Sequence, residues 1–151
     1  MRKLLFRGWG PVALLTVALC GAAIGAEVVY CRYCGVSRAS ISVLTAGVCP
    51  RHPTAPNKGR HVVYQGREKR QYLCEFCGIA RNTISVLTAG MCPRHPVAPN
   101  KARHSPYLGE EKPQYTCEFC GISRATISVL TAGMCPRHPA GPNKGRHHPA
   151  R

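Results

Sequence analysis

Apolar residues in this chain come in two kinds of run. Near the start they form one long stretch, "PVALLTVALCGAAIGA" (11–26), while further on the same heptapeptide, "ISVLTAG", appears at 41–47, 84–90 and 127–133. Serine stands upstream of the run and glycine closes it, so a short helix is predicted, with Ser37 or Ser123 as the cap, Gly47 or Gly133 as the stop, and Ile127 and Leu130 on one face. Alternation of Ile127 and Val129 among threonines would instead suit a strand; the bracketing serine and glycine favour the helix. Ile41, Val43 and Leu44, with Ile84, Val86, Leu87 and Ile127, Val129, Leu130, are the candidate core.

The heptapeptide belongs to a larger repeat. "CRYCGVSRASISVLTAGVCPRHP" (31–53), "CEFCGIARNTISVLTAGMCPRHP" (74–96) and "CEFCGISRATISVLTAGMCPRHP" (117–139) recur with a period of 43 residues, and 21 positions of the aligned 31-residue blocks are identical in all three. A repeat must be recognised before a single-core fold is sought. A block of about 30 residues cannot bury enough apolar surface to offset its chain entropy, so each copy requires a staple.

Four residues per copy supply one. Cys31, Cys34, Cys49 and His52, then Cys74, Cys77, Cys92 and His95, then Cys117, Cys120, Cys135 and His138 follow CxxC, fourteen residues, CxxH. Two ligands separated by two residues share one tight turn, and two such turns complete a tetrahedral zinc shell, giving three zinc ions per chain. Gly35, Gly78 and Gly121 follow the second cysteine, where such a turn favours positive φ. Another histidine recurs nine residues after the first (His61, His104, His147), in "PNKGRH" or "PNKARH". The shorter chelate spacing favours His52, His95 and His138 as ligands, with the later histidine as a polar partner or the alternative fourth ligand. Disulfides compete with metal in an oxidising compartment, but three cysteines per copy would leave a lone thiol in each or force pairing between copies. A CxxCH haem site does not occur, since glycine follows each CxxC.

The first 26 residues carry Arg2, Lys3 and Arg7, then the apolar stretch, then small residues before Glu27. That is the grammar of a signal peptide, with export to the periplasm or outside as its consequence; uncleaved, residues 8–26 would anchor the chain in a membrane. The remaining domain plan is three modules, at 27–63, 70–106 and 113–149.

Charge narrows the function without fixing it. The chain has 21 Lys and Arg against six acids, a formal charge of +15; loss of the leader, with three basic residues and no acid, leaves +12. Such a surplus attracts polyanions. Four basic residues recur in each copy: Arg38, Arg51, Lys58 and Arg60; Arg81, Arg94, Lys101 and Arg103; Arg124, Arg137, Lys144 and Arg146. They form a candidate ladder of anion contacts, repeated for avidity. The chain contains no aspartate, and no glutamate falls at an equivalent position in all three copies. General acid–base chemistry therefore has little to work with, and a closed shell leaves a metal no open position. The expectation is a non-enzymatic, monomeric binding protein whose partner is a polyanion or a protein, with no small-molecule substrate; a nucleic-acid-binding finger protein and a disulfide-linked secreted repeat are the alternatives.

The copies resemble zinc-ribbon or treble-clef modules, and "GEEKPQYTCEFCG" (109–121) is similar to the linker and first half-site of tandem Cys2His2 zinc fingers, with Leu130 at the position of that family's core leucine. The second half departs: Gly133 stands where the first histidine of that family would be, and Arg124 at its aromatic core position. A nearer resemblance, over about residues 30–148, is to small exported bacterial proteins built from tandem CxxCG...CxxHP...KGxH units. It implies a small metal-stabilised α+β fold with two knuckles and a short helix per module, beads on a string, and implies no activity.

Overall fold

A computed structural model describes residues 28–151. The expected leader, or anchor, at 1–26 lies outside the described residues, among which no helix is long and apolar enough to cross a membrane. Each copy folds as a two-stranded antiparallel hairpin followed by a short helix. The first is β1 (Val29–Tyr30), β2 (Ser37–Arg38) and α1 (Ile41–Ala46); the second β3 (Tyr72–Leu73), β4 (Ala80–Arg81) and α2 (Ile84–Ala89); the third β5 (Tyr115–Thr116), β6 (Ser123–Arg124) and α3 (Ile127–Leu130). The register is constant: Val29 faces Arg38, Tyr72 faces Arg81 and Tyr115 faces Arg124.

The hairpin turns through CxxCG. In the first copy the Cys31 amide donates to the Val36 carbonyl (2.8 Å) and the Gly35 amide to that of Cys31 (2.9 Å). This closure demands the left-handed backbone expected there, with φ of +72°, +73° and +75° at Gly35, Gly78 and Gly121.

The helix forms where the heptapeptide predicted one, but starts later than expected. Ser37 and Ser123 lie in strands, paired with Tyr30 and Thr116. The caps are Ser40, Thr83 and Thr126, whose hydroxyls accept the amides of Val43, Val86 and Val129 at 3.3, 3.1 and 3.1 Å. Gly47 and Gly90 end α1 and α2, whereas α3 ends at Thr131 rather than Gly133. Leu44, Leu87 and Leu130 are buried, but Val43, Val86 and Val129 point outward, so the expected three-residue core shrinks to the leucine and, in two copies, the isoleucine.

The copies are not beads on a string. Tyr64, from the link after the first copy, packs in the core of the second with Tyr72, Ile84 and Leu87; Tyr107 does the same in the third with Tyr115, Ile127 and Leu130. The Tyr64–Tyr72 and Tyr107–Tyr115 rings meet edge to face at 5.7 and 5.8 Å. Arg51 reaches the next helix, donating to the Ser85 carbonyl (2.7 Å) and Thr88 Oγ1 (3.1 Å), and Arg94 does likewise to Ser128 (2.7 Å) and Thr131 (3.2 Å). Arg32 pairs with Glu75 of the second copy (3.4 Å). Helices α2 and α3 thereby rest on the knuckle of the copy before them, the nearest-neighbour arrangement of a solenoid.

Candidate metal centres

Three four-residue clusters emerge, each with donor atoms within 4.8 Å of one another: Cys31, Cys34, Cys49 and His61; Cys74, Cys77, Cys92 and His104; Cys117, Cys120, Cys135 and His147. Nine cysteines are therefore where their spacing put them. The histidine is not the expected one.

Backbone routing decides this. After the second turn, where Asn57 adopts φ of +58° and its amide donates to the Cys49 carbonyl (3.1 Å), the chain runs back between the two knuckles. Val48 bridges to Arg60 and Cys31 to Val63, both antiparallel. The His61 amide donates to Gly47 (3.2 Å), and the Arg32 amide to Val62 (2.8 Å). Held from both sides, His61 brings Nδ1 to 3.4 Å from Cys34 Sγ; the matching distances are 3.4 Å for His104 with Cys77 and 3.3 Å for His147 with Cys120. Gly47 leaves room for the ring, since a β-carbon there would stand 3.0 Å from His61 Cδ2.

His52, by contrast, stays on its own turn. Its Nδ1 accepts the Ala55 amide (3.3 Å), and its ring meets Tyr33 edge to face at 5.3 Å. His95 and His138 stack in the same way on Phe76 (4.8 Å) and Phe119 (5.3 Å). These histidines brace the outside of the second turn and do not join the clusters. The tighter CxxH spacing misled because chelate length says nothing of where a third chain segment passes; the recurrent "PNK" before the later histidine, with asparagine in the left-handed region, was the available signal.

The sulfurs are not bonded to each other. Cys31 and Cys49 Sγ lie 3.8 Å apart, as do Cys74 and Cys92, and Cys117 and Cys135 are at 3.9 Å, far beyond a disulfide bond. All nine described cysteines are free. Burial is the first influence on several of them. It leads in pushing Cys49 up to about 12 and Cys135 to about 11, with neighbouring thiols adding to it. Cys77 goes the other way, down to about 2, through hydrogen bonds from Cys74 and Cys92. Burial pushes Cys117 up, but backbone donors at Cys120, Phe119 and His148 and the His147 ring together bring it down to about 6. Burial, then the Arg38 charge, lowers His61 and keeps its imidazole neutral, the ligating form. Three thiols packed this closely cannot all ionise without a cation among them, a charge that a metal ion would supply.

Of the twelve basic candidates, Arg51 and Arg94 are consumed in contacts between copies. Arg60, Arg103 and Arg146 cap helix ends, donating to the carbonyls of Ala46 (2.6 Å), Ala89 (2.8 Å) and Ala132 (2.7 Å). Arg38, Arg81 and Arg124 each bond the preceding carbonyl from an exposed strand. Lys58, Lys101, Lys144 and Arg137 are exposed.

Comparison with protein-family models, curated proteins and solved structures finds no significant match to this chain.

Proposed function

We propose that this chain is an exported, non-enzymatic repeat protein whose three modules are each closed by a structural zinc ion, and whose remaining basic surface binds polyanions. The observation that carries the metal assignment is the triplicate Cys3His cluster. In a tetrahedral zinc site with bonds of about 2.3 Å to sulfur and about 2.0 Å to nitrogen, sulfurs stand roughly 3.8 Å apart and sulfur and nitrogen roughly 3.5 Å. The distances found are 3.8 to 3.9 Å and 3.3 to 3.4 Å. Three thiolates and an imidazole suit zinc over harder cations, and four protein donors complete its shell, the arrangement of a structural site.

Each zinc with three thiolates carries a net charge of about minus one, so the leaderless chain keeps about +9. Support for polyanion binding comes from that surplus and from the exposed residues Arg38, Arg81, Arg124, Lys58, Lys101 and Lys144, repeated at fixed places. Support for export comes from the apolar leader alone.

Elemental analysis of protein purified without added metal, with thiol counting, tests the first part: three zinc ions per chain are expected, and less than one zinc with no free thiols would refute it. Titration with duplex, single-stranded and anionic polysaccharide ligands at two salt concentrations tests the second. Binding should weaken steeply with salt and discriminate little between ligands. Salt-resistant preference for one nucleotide sequence would instead establish a nucleic-acid reader.

A further inference from the structure

The contact between neighbouring copies is made twice, and among the described residues each end of the stack presents one unused half of it. On the giving side are a knuckle glycine and an arginine: Gly35 with Arg51, Gly78 with Arg94, and in the third copy Gly121 with Arg137. On the receiving side is a helix start: Ile84, Ser85 and Thr88; Ile127, Ser128 and Thr131; and in the first copy Ile41, Ser42 and Thr45. Where the halves meet they fit closely. A β-carbon on Gly35 would come within 2.8 Å of Ser85 Cα, and one on Gly78 within 2.8 Å of Ser128 Cα. Around Gly121 nothing among the described residues lies within 4 Å of that position. The receiving isoleucine is 3% and 2% exposed at Ile84 and Ile127, but 57% exposed at Ile41. Arg51 and Arg94 each bond the next helix, whereas the exposed Arg137 has no such partner among the described residues.

We propose that these two ends bind each other between chains, so that the third module of one copy receives the first module of the next and the protein assembles head to tail. Continuity with the internal interface carries the assignment, because the knuckle and helix residues that would meet are identical in type to those already in contact, Gly121 and Arg137 against Ile41, Ser42 and Thr45, although Ala150 stands where Tyr64 and Tyr107 add a ring to the internal contacts. Charge agrees with the first of the two internal contacts. There Arg32 pairs with Glu75, whereas the second brings Glu75 and Glu118 to either side of His148 (3.9 and 3.1 Å); between chains the corresponding positions hold Glu118 and Arg32, opposite in sign as in the first. A contact of this heterologous kind does not use itself up, so it yields open filaments or rings according to the rotation per step, not a closed dimer. The partner is a second copy of the chain, independent of any polyanion.

Sedimentation of the full, metal-loaded chain in high salt without polyanion tests it. Mass should rise with concentration in whole multiples of the chain. Ile41→Asp, which disables the receiving end, and Arg137→Glu, which disables the giving end, should each weaken self-association by about 100-fold or more. Mixed one to one, they should form a dimer and nothing larger, because each variant retains the half that the other lacks. Ser42→Lys is the second receiving-end variant should Ile41→Asp lose metal. A wild-type chain that stays monomeric at high concentration overturns the proposal, including the case in which residues 1–27 crosslink to Ile41 and occupy the face themselves. So does assembly that survives both substitutions, or a mixture that polymerises like wild type.

Discussion

Gly35 of the first copy lies directly against the backbone of Ser85 in the second, with no space for a β-carbon between them. Gly121 has the same left-handed φ and no neighbour within that reach. The pair separates two reasons for the same glycine. Gly121→Ala in dilute, monomeric protein should cost only the left-handed backbone penalty, roughly 1–2 kcal/mol. Gly35→Ala and Gly78→Ala should cost that and a further ~1–3 kcal/mol for forcing the copies apart. Denaturant midpoints of the three variants check it; equal losses would mean the packing against Ser85 and Ser128 contributes nothing.

Replacing the two recurrent histidines should give opposite results. His61→Ala opens a shell whose Nδ1 stands 3.4 Å from Cys34 Sγ, so one metal of three should be lost. His52→Ala removes only an edge-to-face contact with Tyr33 and an accepted amide. All three metals should stay, with a stability loss of about 1 kcal/mol. Metal content per chain, measured after gel filtration, distinguishes the two, and loss of metal from His52→Ala would restore the CxxH ligand set.

What the sequence showed and what it hid divide along one physical line. Cysteine positions, the left-handed glycines and the existence of the helix are local properties, set within a few residues by turn geometry and capping, and they could be read from "CxxCG" and "ISVLTAG". The fourth ligand depends on the chain from Lys58 to Val63 returning between two knuckles, a long-range pairing that no spacing rule encodes. The stacked architecture was hidden in the same way. Arg51 and Arg94 were legible as charge, yet they work as donors to the next helix, and Tyr64 and Tyr107 lie just outside the module bounds that the repeat suggested. The helix start shifted for a smaller reason: Ser37 was an eligible cap, but its backbone was claimed by pairing with Tyr30, leaving Ser40 to cap.

Shared cores alter what loss of one metal should do. In a beads arrangement Cys92→Ser would leave the outer modules intact; here α2 covers the first knuckle, and the second copy's knuckle supports α3. Disordering the middle copy should therefore expose Cys34 and Ile127, and accelerate chelator-driven metal loss from both outer sites several-fold beside removing one metal. Outer-site release rates identical to wild type would show that the neighbours are uncoupled.

Alkaline pH should loosen the stack through Tyr64. Its burial, reinforced by the neighbouring Tyr72, raises its phenol to about 12 from an ordinary value near 10. A raised folded value means that the folded state holds the proton more tightly than the unfolded one. The stabilisation is then complete below pH 10 and is lost as pH rises through 12. Tyr107, also raised by burial, adds a slope of the same sign. Denaturant midpoints between pH 9 and 12 should fall, and fall less steeply in Tyr64→Phe; an unchanged slope in that variant would remove Tyr64 from the account.

The three metal sites should differ in lability even though their ligands are the same. Cys34 and Cys77 are 8% and 9% exposed beneath the next helix, and His61 and His104 are each 8% exposed, whereas Cys120 and His147 are only half-buried, since no helix among the described residues lies over the third knuckle. A chelator or thiol reagent must reach a ligand atom to displace the metal, so access sets the order. In dilute protein, one metal of three should leave several-fold faster than the others, with Cys120 the first thiol labelled. Cys117→Ser should abolish that fast phase without touching the slow ones. If chains assemble end to end, the helix of the next copy covers Cys120, and raising the protein concentration should slow the fast phase toward the other two. Three equal release rates at every concentration would show that the stacked helix does not protect the site below it.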